Sequence, residues 1–331
     1  MKYKKLGRTK LNCSIIGFGC WGLGGIAYGP VSDKTSINAL NKSLDRGINF
    51  YDTSDLYGDK DDGRSEKILG KAFKKKRSKV ILATKFGLLP HNGWDMPEIY
   101  KHSHLNKTLD LSLSRMKTDY IDLMQLHSPS IKTLKNKNKM NDIFEFLIKK
   151  KKEGKIRYFG ISVRSPLDGL YVANNHQKFD SIQTNLNVID QRIIENGLLD
   201  VCGKNKIGII ARTPLVYGYL TGKISEKKIL SKRDHRKKWS KKQLKIWSEA
   251  PKIFKSIIKN KKQTTAQFCL QFCSSFKSVT TTIPGMINNN QVIENSNAVK
   301  FGYLNEKKRK EIYNLYKSHT WINLSNKKRS E

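Results

Sequence analysis

Apolar residues along this chain fall into short continuous runs, separated by longer stretches in which they recur every three or four positions. The runs are IIGF (15–18), INFYD (48–52), VILATK (80–85), YIDLMQLH (120–127), IRYFGIS (156–162), DSIQTN (180–185), IGIIAR (207–212) and VTTTIP (279–284). Runs that are continuous rather than alternating predict strands buried on both faces, as in a parallel sheet covered by helices. The intervening stretches show helical spacing, as in Ile37, Leu40 and Leu44, or Leu109, Leu113 and Met116. Side chains so spaced share one face of a helix. Asp33 ahead of the first such stretch and Gly47 behind it are start and stop signals.

Eight strand-then-helix units predict the α/β class. The count of eight favours a closed (β/α)8 TIM barrel over an open doubly wound sheet. An N-terminal β-hairpin over roughly residues 2–16, turning at Gly7-Arg8-Thr9, is expected to cap the barrel bottom. Residues 215–262 are too long for an ordinary connection and are expected to hold a functional loop and an extra helix. No linker-like stretch divides the chain, so residues 1–331 are expected to form a single domain.

Composition narrows the class. No apolar run approaches the ~20 residues needed to span a bilayer. The N-terminal MKYKKLGRTK has basic residues but no apolar run behind them, so neither a membrane partner nor a secretory signal is expected, and a cytoplasmic location is. The five cysteines (13, 20, 202, 269 and 273) are odd in number and lack CxxC spacing. They are expected as reduced, buried thiols, with no disulfide and no metal site. The formal net charge of +36 invites a nucleic-acid reading. The lysines, however, lie in separate runs (71–79, 147–155, 227–245, 255–262 and 307–310), most of them where helices should face water and with only Phe73 and Trp239 interleaved. Charge alone gives little specificity, and no specific nucleic-acid partner is expected.

GFGCWG (17–22) matches the dinucleotide fingerprint GxGxxG, which requires a helix to open at its glycines. Here the glycines run on through GLGG (22–25) to Gly29-Pro30, and the helix starts near Asp33. The stretch therefore reads as a first loop whose backbone passes close to a ligand.

In a (β/α)8 barrel the C-terminal strand ends converge on one mouth. The second strand ends in Asp52, with Tyr57 in the loop behind it. The third ends in Lys85, the fourth in His127, the fifth in Ser162 and the sixth in Gln183 and Asn185. Alone, each has an ordinary explanation as a helix cap, rim charge, satisfied polar group or loop anchor. Together they make a coherent proton-transfer site. Lys85, flanked by Leu82, Ala83 and Phe86, is costly to bury unless paired, and Asp52 is the expected partner. A cation beside a phenol favours the phenolate, so Tyr57 is expected to titrate below its usual ~10 and to serve as a general acid near neutral pH.

GFGCWG, INFYDTSDLYG, ILATK, DYIDLMQLH, GKIRYFGIS and RTPLVYGYLTGK, followed by IPGM with Gln291, Glu294 and Asn295, resemble the aldo-keto reductase family over essentially the full chain. The nearest branch is the one related to aryl-alcohol dehydrogenases. The resemblance implies reversible, NAD(P)H-dependent reduction of an aldehyde or ketone, with a small carbonyl compound or alcohol as the partner. It implies Tyr57 as proton donor, Asp52 and Lys85 tuning it, and His127 orienting the substrate oxygen. Gly19, Cys20, Trp21 and Asp52 would border the cofactor, and Ser162 and Gln183 would hold the nicotinamide carboxamide. Thr213, Pro214, Leu215 and Lys223 match the loop that crosses the pyrophosphate, and Gly285, Gln291, Glu294 and Asn295 match the adenosine end. Arg212 stands where many relatives carry an aromatic residue that stacks on the nicotinamide. Asn288 stands where a basic residue often meets the 2′-phosphate. NADP(H) is the cofactor implied, and NAD(H) stays open unless Arg164 or a basic residue of 223–238 substitutes. One rival within the same fold is a cofactor-binding regulatory protein with little turnover. Another is a metal-dependent hydrolase using Asp52 and His127, which lacks further ligands, since HSH (102–104) is expected in the approach to a helix.

Overall fold

The computed structural model describes residues 1–59, 62–91, 95–225, 230–231 and 234–322. Of the basic stretch 223–238, residues 226–229 and 232–233 lie outside the described residues.

Two short antiparallel strands, β1 (Tyr3–Lys5) and β2 (Asn12–Ser14), precede an eight-stranded parallel sheet. Its strands are β3 (Phe18–Gly19), β4 (Phe50–Asp52), β5 (Ile81–Phe86), β6 (Ile121–His127), β7 (Ile156–Ser162), β8 (Ser181–Asn185), β9 (Gly208–Arg212) and β10 (Val279–Thr282), neighbours in chain order. The seam between first and last closes through backbone hydrogen bonds. Gly17 N–H donates to Thr282 O at 2.8 Å, Thr282 N–H to Ile15 O at 3.0 Å, and Gly19 N–H to Pro284 O at 2.9 Å. The predicted barrel is the observed one.

Helices fill the returns. Ser32 caps the helix Asp33–Asp45 by accepting from Thr35 N–H, and the chain leaves it at Gly47 with φ of 81°. Such a left-handed turn costs glycine nothing. His102 and His104, expected in an approach loop, instead form the first turn of the helix His102–Met116. The long segment after β9 holds the extra helix, Lys241–Lys255. No helix among the described residues is long and apolar enough to cross a membrane. All five cysteines are buried free thiols.

The hairpin plugs the barrel bottom. Leu6, Leu11 and Cys13 pack inside it against Phe50, Ile81, Ala83, Leu123 and Ile210. At Gly208, the start of β9, a Cβ would lie 2.8 Å from the backbone nitrogen of Gly7 in the hairpin turn, so the close approach requires glycine there. The Arg8 guanidinium donates to Asp180 Oδ1 at 3.1 Å and to the carbonyls of Gln177 and Phe179. It thereby ties the turn to the entrance of β8. Because strand side chains alternate, the inward row continues upward from these apolar residues. Asp52 follows Phe50, Lys85 follows Ala83, Gln125 and His127 follow Leu123, and Arg212 follows Ile210. Two residues per strand carry the interior from hydrocarbon to charge.

Candidate active site

Lys85, 1% exposed, places its ammonium 2.6 Å from Asp52 Oδ1, 2.7 Å from Thr53 O and 3.2 Å from the Tyr57 hydroxyl. An ammonium has three donors, and all three are used. The other carboxylate oxygen, Asp52 Oδ2, accepts from Gln125 Nε2 at 2.9 Å and Gln183 Nε2 at 2.6 Å. Burial pulls the Lys85 pKa down, but the attraction of Asp52 and Tyr57 outweighs it and leaves the value raised. The cation therefore persists at neutral pH. A buried ion pair is tolerated when its remaining donors and acceptors are satisfied in this way.

Tyr57 corrects an expectation. Its pKa is raised, not lowered: desolvation on the cavity floor pushes it up more than Lys85 pulls it down. The depth of the site was invisible in the sequence, and depth decides the sign. The phenol thus holds its proton throughout the neutral range, with a cation waiting to stabilise the phenolate once that proton leaves.

His127 packs its ring edge-on to Tyr57, with centroids 6.4 Å apart. Burial, then the charges of Lys85, His91 and Arg212, hold it well below its usual range, so the imidazole is neutral. Its Nδ1 lies 3.3 Å from Ser54 Oγ, and that hydroxyl bonds Asp55 Oδ1 at 2.8 Å. Asp55 is buried, and burial followed by the nearby Glu66 pushes its carboxyl up to about 7.

Above this floor opens a cavity of about 1260 Å³, larger than most sites for a single small ligand. Asp52, Tyr57 and His127 line it with Gly19, Cys20 and Trp21 of the first loop. Ser162, Gln183, Arg212, Thr213, Pro214, Leu215 and Lys223 continue the wall, and Gly285, Gln291, Glu294 and Asn295 complete it. Lys85 lies beneath, reaching the cavity through Tyr57. The Gln183 amide is spent on Asp52 and on Ser162 Oγ, 3.3 Å away, so it braces the carboxylate.

Several features fit a dinucleotide here. Arg212 donates through Nη2 to Val163 O at 2.9 Å, while its buried Nε has no partner. Lys223 reaches across to Glu294 at 2.6 Å, joining the loop after β9 to the helix Asn289–Ser296. Thr213, Val216 and Tyr217 in that loop hold positive φ, strain of a kind that gathers at ligand clamps. Asn288 caps the helix, accepting from Gln291 N–H at 3.0 Å. Arg164 is bound to Glu98 at 2.7 Å and to Ser128 O at 2.7 Å, so it is drawn away from the role suggested for it.

Sequence reasoning missed four groups. Gln125 shares the inward face of β6 with His127 two residues on, a register that alternation could have revealed. Ser54 and Asp55 lie inside the DTSDLYG motif itself. His235 sits 4.4 Å from Trp21 and 4.6 Å from Tyr217, ring centre to ring centre, a contact across the fold that no local pattern signals.

Residues 15–317 match the sequence model described as the Aldo/keto reductase family. The chain is 34% identical to the aldo-keto reductase YhdN of Bacillus subtilis over 233 residues, 68% of this chain and 66% of that one. It is 30% identical to the L-galactose dehydrogenase of Arabidopsis thaliana over 305 residues, 90% of this chain and 88% of that one. Among solved structures it resembles the holo form of aldo-keto reductase AKR11C1 from Bacillus halodurans, with a TM-score of 0.75, 27% identity and 97% of each chain covered.

Proposed function

The chain belongs to the aldo/keto reductase family, and from that premise we propose that it reduces a small aldehyde or ketone, reversibly, with NADP(H) and with Tyr57 as proton donor. The observation that carries this reading is the Lys85 ammonium, hydrogen-bonded at once to Asp52 and to the Tyr57 hydroxyl on the cavity floor. Held along the loop after β9 and the helix Asn289–Ser296, a reduced nicotinamide would supply the hydride when bound. The Tyr57 hydroxyl gives its proton to the carbonyl oxygen, and Lys85 stabilises the phenolate left behind. Because the Tyr57 pKa is raised, the proton is in place at neutral pH, and the cation acts chiefly on the charge that develops during transfer. His127 meets the substrate oxygen and holds it toward Tyr57.

Trp21, Tyr28, Tyr217, His235 and Trp239 line the same cavity. An aromatic wall suits a flat substrate, which supports the aryl-alcohol-related branch. The Lys223–Glu294 bridge and the unpartnered Arg212 Nε support cofactor binding between β9 and the helix after β10.

The test is the purified protein with NADPH and a panel of aromatic and aliphatic aldehydes and ketones, following loss of reduced-nicotinamide absorbance. Turnover with aromatic aldehydes is expected. Tight NADPH binding without turnover of any carbonyl would overturn the reading in favour of a cofactor-binding regulator.

A further inference from the structure

We propose that Ser54 and Asp55 are positioning residues that set which nitrogen of His127 carries its proton, and so whether His127 can donate to the substrate oxygen. The inference rests on the proposed role of His127 in reduction.

The argument is a count of protons. Ser54 Oγ has one hydrogen to give and two lone pairs. It has three neighbours: Leu56 N–H at 3.2 Å, Asp55 Oδ1 at 2.8 Å and His127 Nδ1 at 3.3 Å. Leu56 N–H, which the Asp55 carboxyl shares, always donates and takes one lone pair. One hydrogen and one lone pair then serve Asp55 and His127 between them, which allows two arrangements.

When Asp55 is ionised it only accepts, so the Ser54 hydrogen goes to Asp55. The free lone pair must then take a hydrogen from His127 Nδ1. A neutral imidazole has a single N–H, so Nε2, turned to the cavity, is bare and cannot donate. When Asp55 is protonated the chain reverses. Asp55 donates to Ser54 Oγ, the Ser54 hydrogen goes to His127 Nδ1, and Nε2 carries the proton that a carbonyl oxygen needs. All three hydrogen bonds at Ser54 Oγ are kept in both states. Only the direction of donation changes.

Neutrality of the imidazole is what makes this a choice of tautomer. His127 is held well below its usual range, so the proton that comes and goes belongs to Asp55, whose carboxyl is pushed up to about 7. Charged groups on two neighbouring helices act on Asp55. Glu66 on the helix Arg64–Phe73 raises its pKa, and Arg115 on the helix His102–Met116 lowers it while pairing with Glu66 at 3.2 Å. As pH rises through about 7, Asp55 ionises, Nε2 loses its hydrogen and reduction slows. A lost donor to a developing oxyanion costs on the order of 10²-fold.

The experiment has two arms. In the protein without added cofactor, ring ¹⁵N shifts of His127 are measured at pH 6 and 8, about one unit either side of the Asp55 value. The signal is identified by its loss in His127→Gln. An Nε2–H tautomer at the lower pH and an Nδ1–H tautomer at the higher are expected, with the switch absent in Ser54→Ala and Asp55→Asn. In the second arm, kcat/KM for reduction is expected to decline above neutrality, and the decline is expected to vanish in Asp55→Asn and to move to lower pH in Glu66→Gln. One tautomer at both pH values, or an unchanged decline in Asp55→Asn, overturns the proposal. Failure of the wild type to reduce any carbonyl would sink the functional reading instead, while the first arm would still decide the proton count.

Discussion

The two ends of the barrel are built from the same strands and obey opposite rules. At the bottom, Leu6, Leu11 and Cys13 of the hairpin meet Phe50, Ile81 and Leu123, and the contact is hydrocarbon against hydrocarbon. Two residues farther along the strands, Asp52, Lys85, Gln125 and Gln183 form a network in which every buried donor and acceptor named above has a partner. The bottom tolerates loss of shape at a graded cost, because a truncated side chain leaves a void. The top does not grade, because removal of one member strands the charge of another. Stability is held at one end, and at the other end it is partly spent on an arrangement that chemistry needs.

Four measurements sharpen this contrast. Tyr57→Phe is expected to lower carbonyl turnover by about 10²–10⁴ through loss of a general acid, with little change in NADPH affinity or melting temperature. Near-native turnover in that variant would remove Tyr57 from the mechanism. Asp52→Asn leaves Lys85 buried without its counter-charge and is expected to cost about 3–5 kcal/mol of stability as well as activity, read by chemical denaturation and steady-state kinetics. Leu6→Ala at the other end is expected to cost about 2–5 kcal/mol while turnover per folded molecule stays at wild-type level. If instead Leu6→Ala alters kcat and Asp52→Asn leaves stability untouched, the division between the two ends is wrong.

The smallest effect expected is at the cofactor. Asn288 is a helix cap and Arg164 is tied to Glu98, so neither offers the 2′-phosphate a charge-assisted pair, worth about 1.5–3 kcal/mol. A modest NADPH preference is therefore expected, driven by overall positive charge and weakened by salt. Dissociation constants for NADPH and NADH at low and high ionic strength, followed by fluorescence of Trp21, test it. A strong preference that survives high salt would mean that a lysine or arginine elsewhere reaches the phosphate.

What the sequence made legible was what repeats or stands in register. Eight apolar runs, continuous because both faces are buried, implied the barrel, and the residues at their ends named the Asp52–Lys85 pair. The direction of the Tyr57 pKa shift was misjudged because a pKa depends on depth, which no linear pattern records. Gln125 was overlooked because a glutamine within an apolar strand has no motif. Its purpose appears only when Asp52, 73 positions away in the chain, is placed beside it. Ser54 and Asp55 lay in plain view, but their roles depend on which ring nitrogen of His127 faces them.

The Lys4 ammonium donates to the carbonyls of Ser274, Phe276 and Val279 at 2.9–3.0 Å, across sequence separations of 270 to 275. That bond joins the hairpin to the stretch where the helix Thr265–Ser274 gives way to β10. During synthesis the hairpin must therefore wait for a segment made some 270 residues later before the Lys4 ammonium finds its acceptors. Until β10 arrives, the Ile15–Gly19 edge has no mate, and a half-built sheet presents it to other chains. Contacts of such long range slow folding. The nascent chain is thus most exposed to aggregation just before β10 emerges.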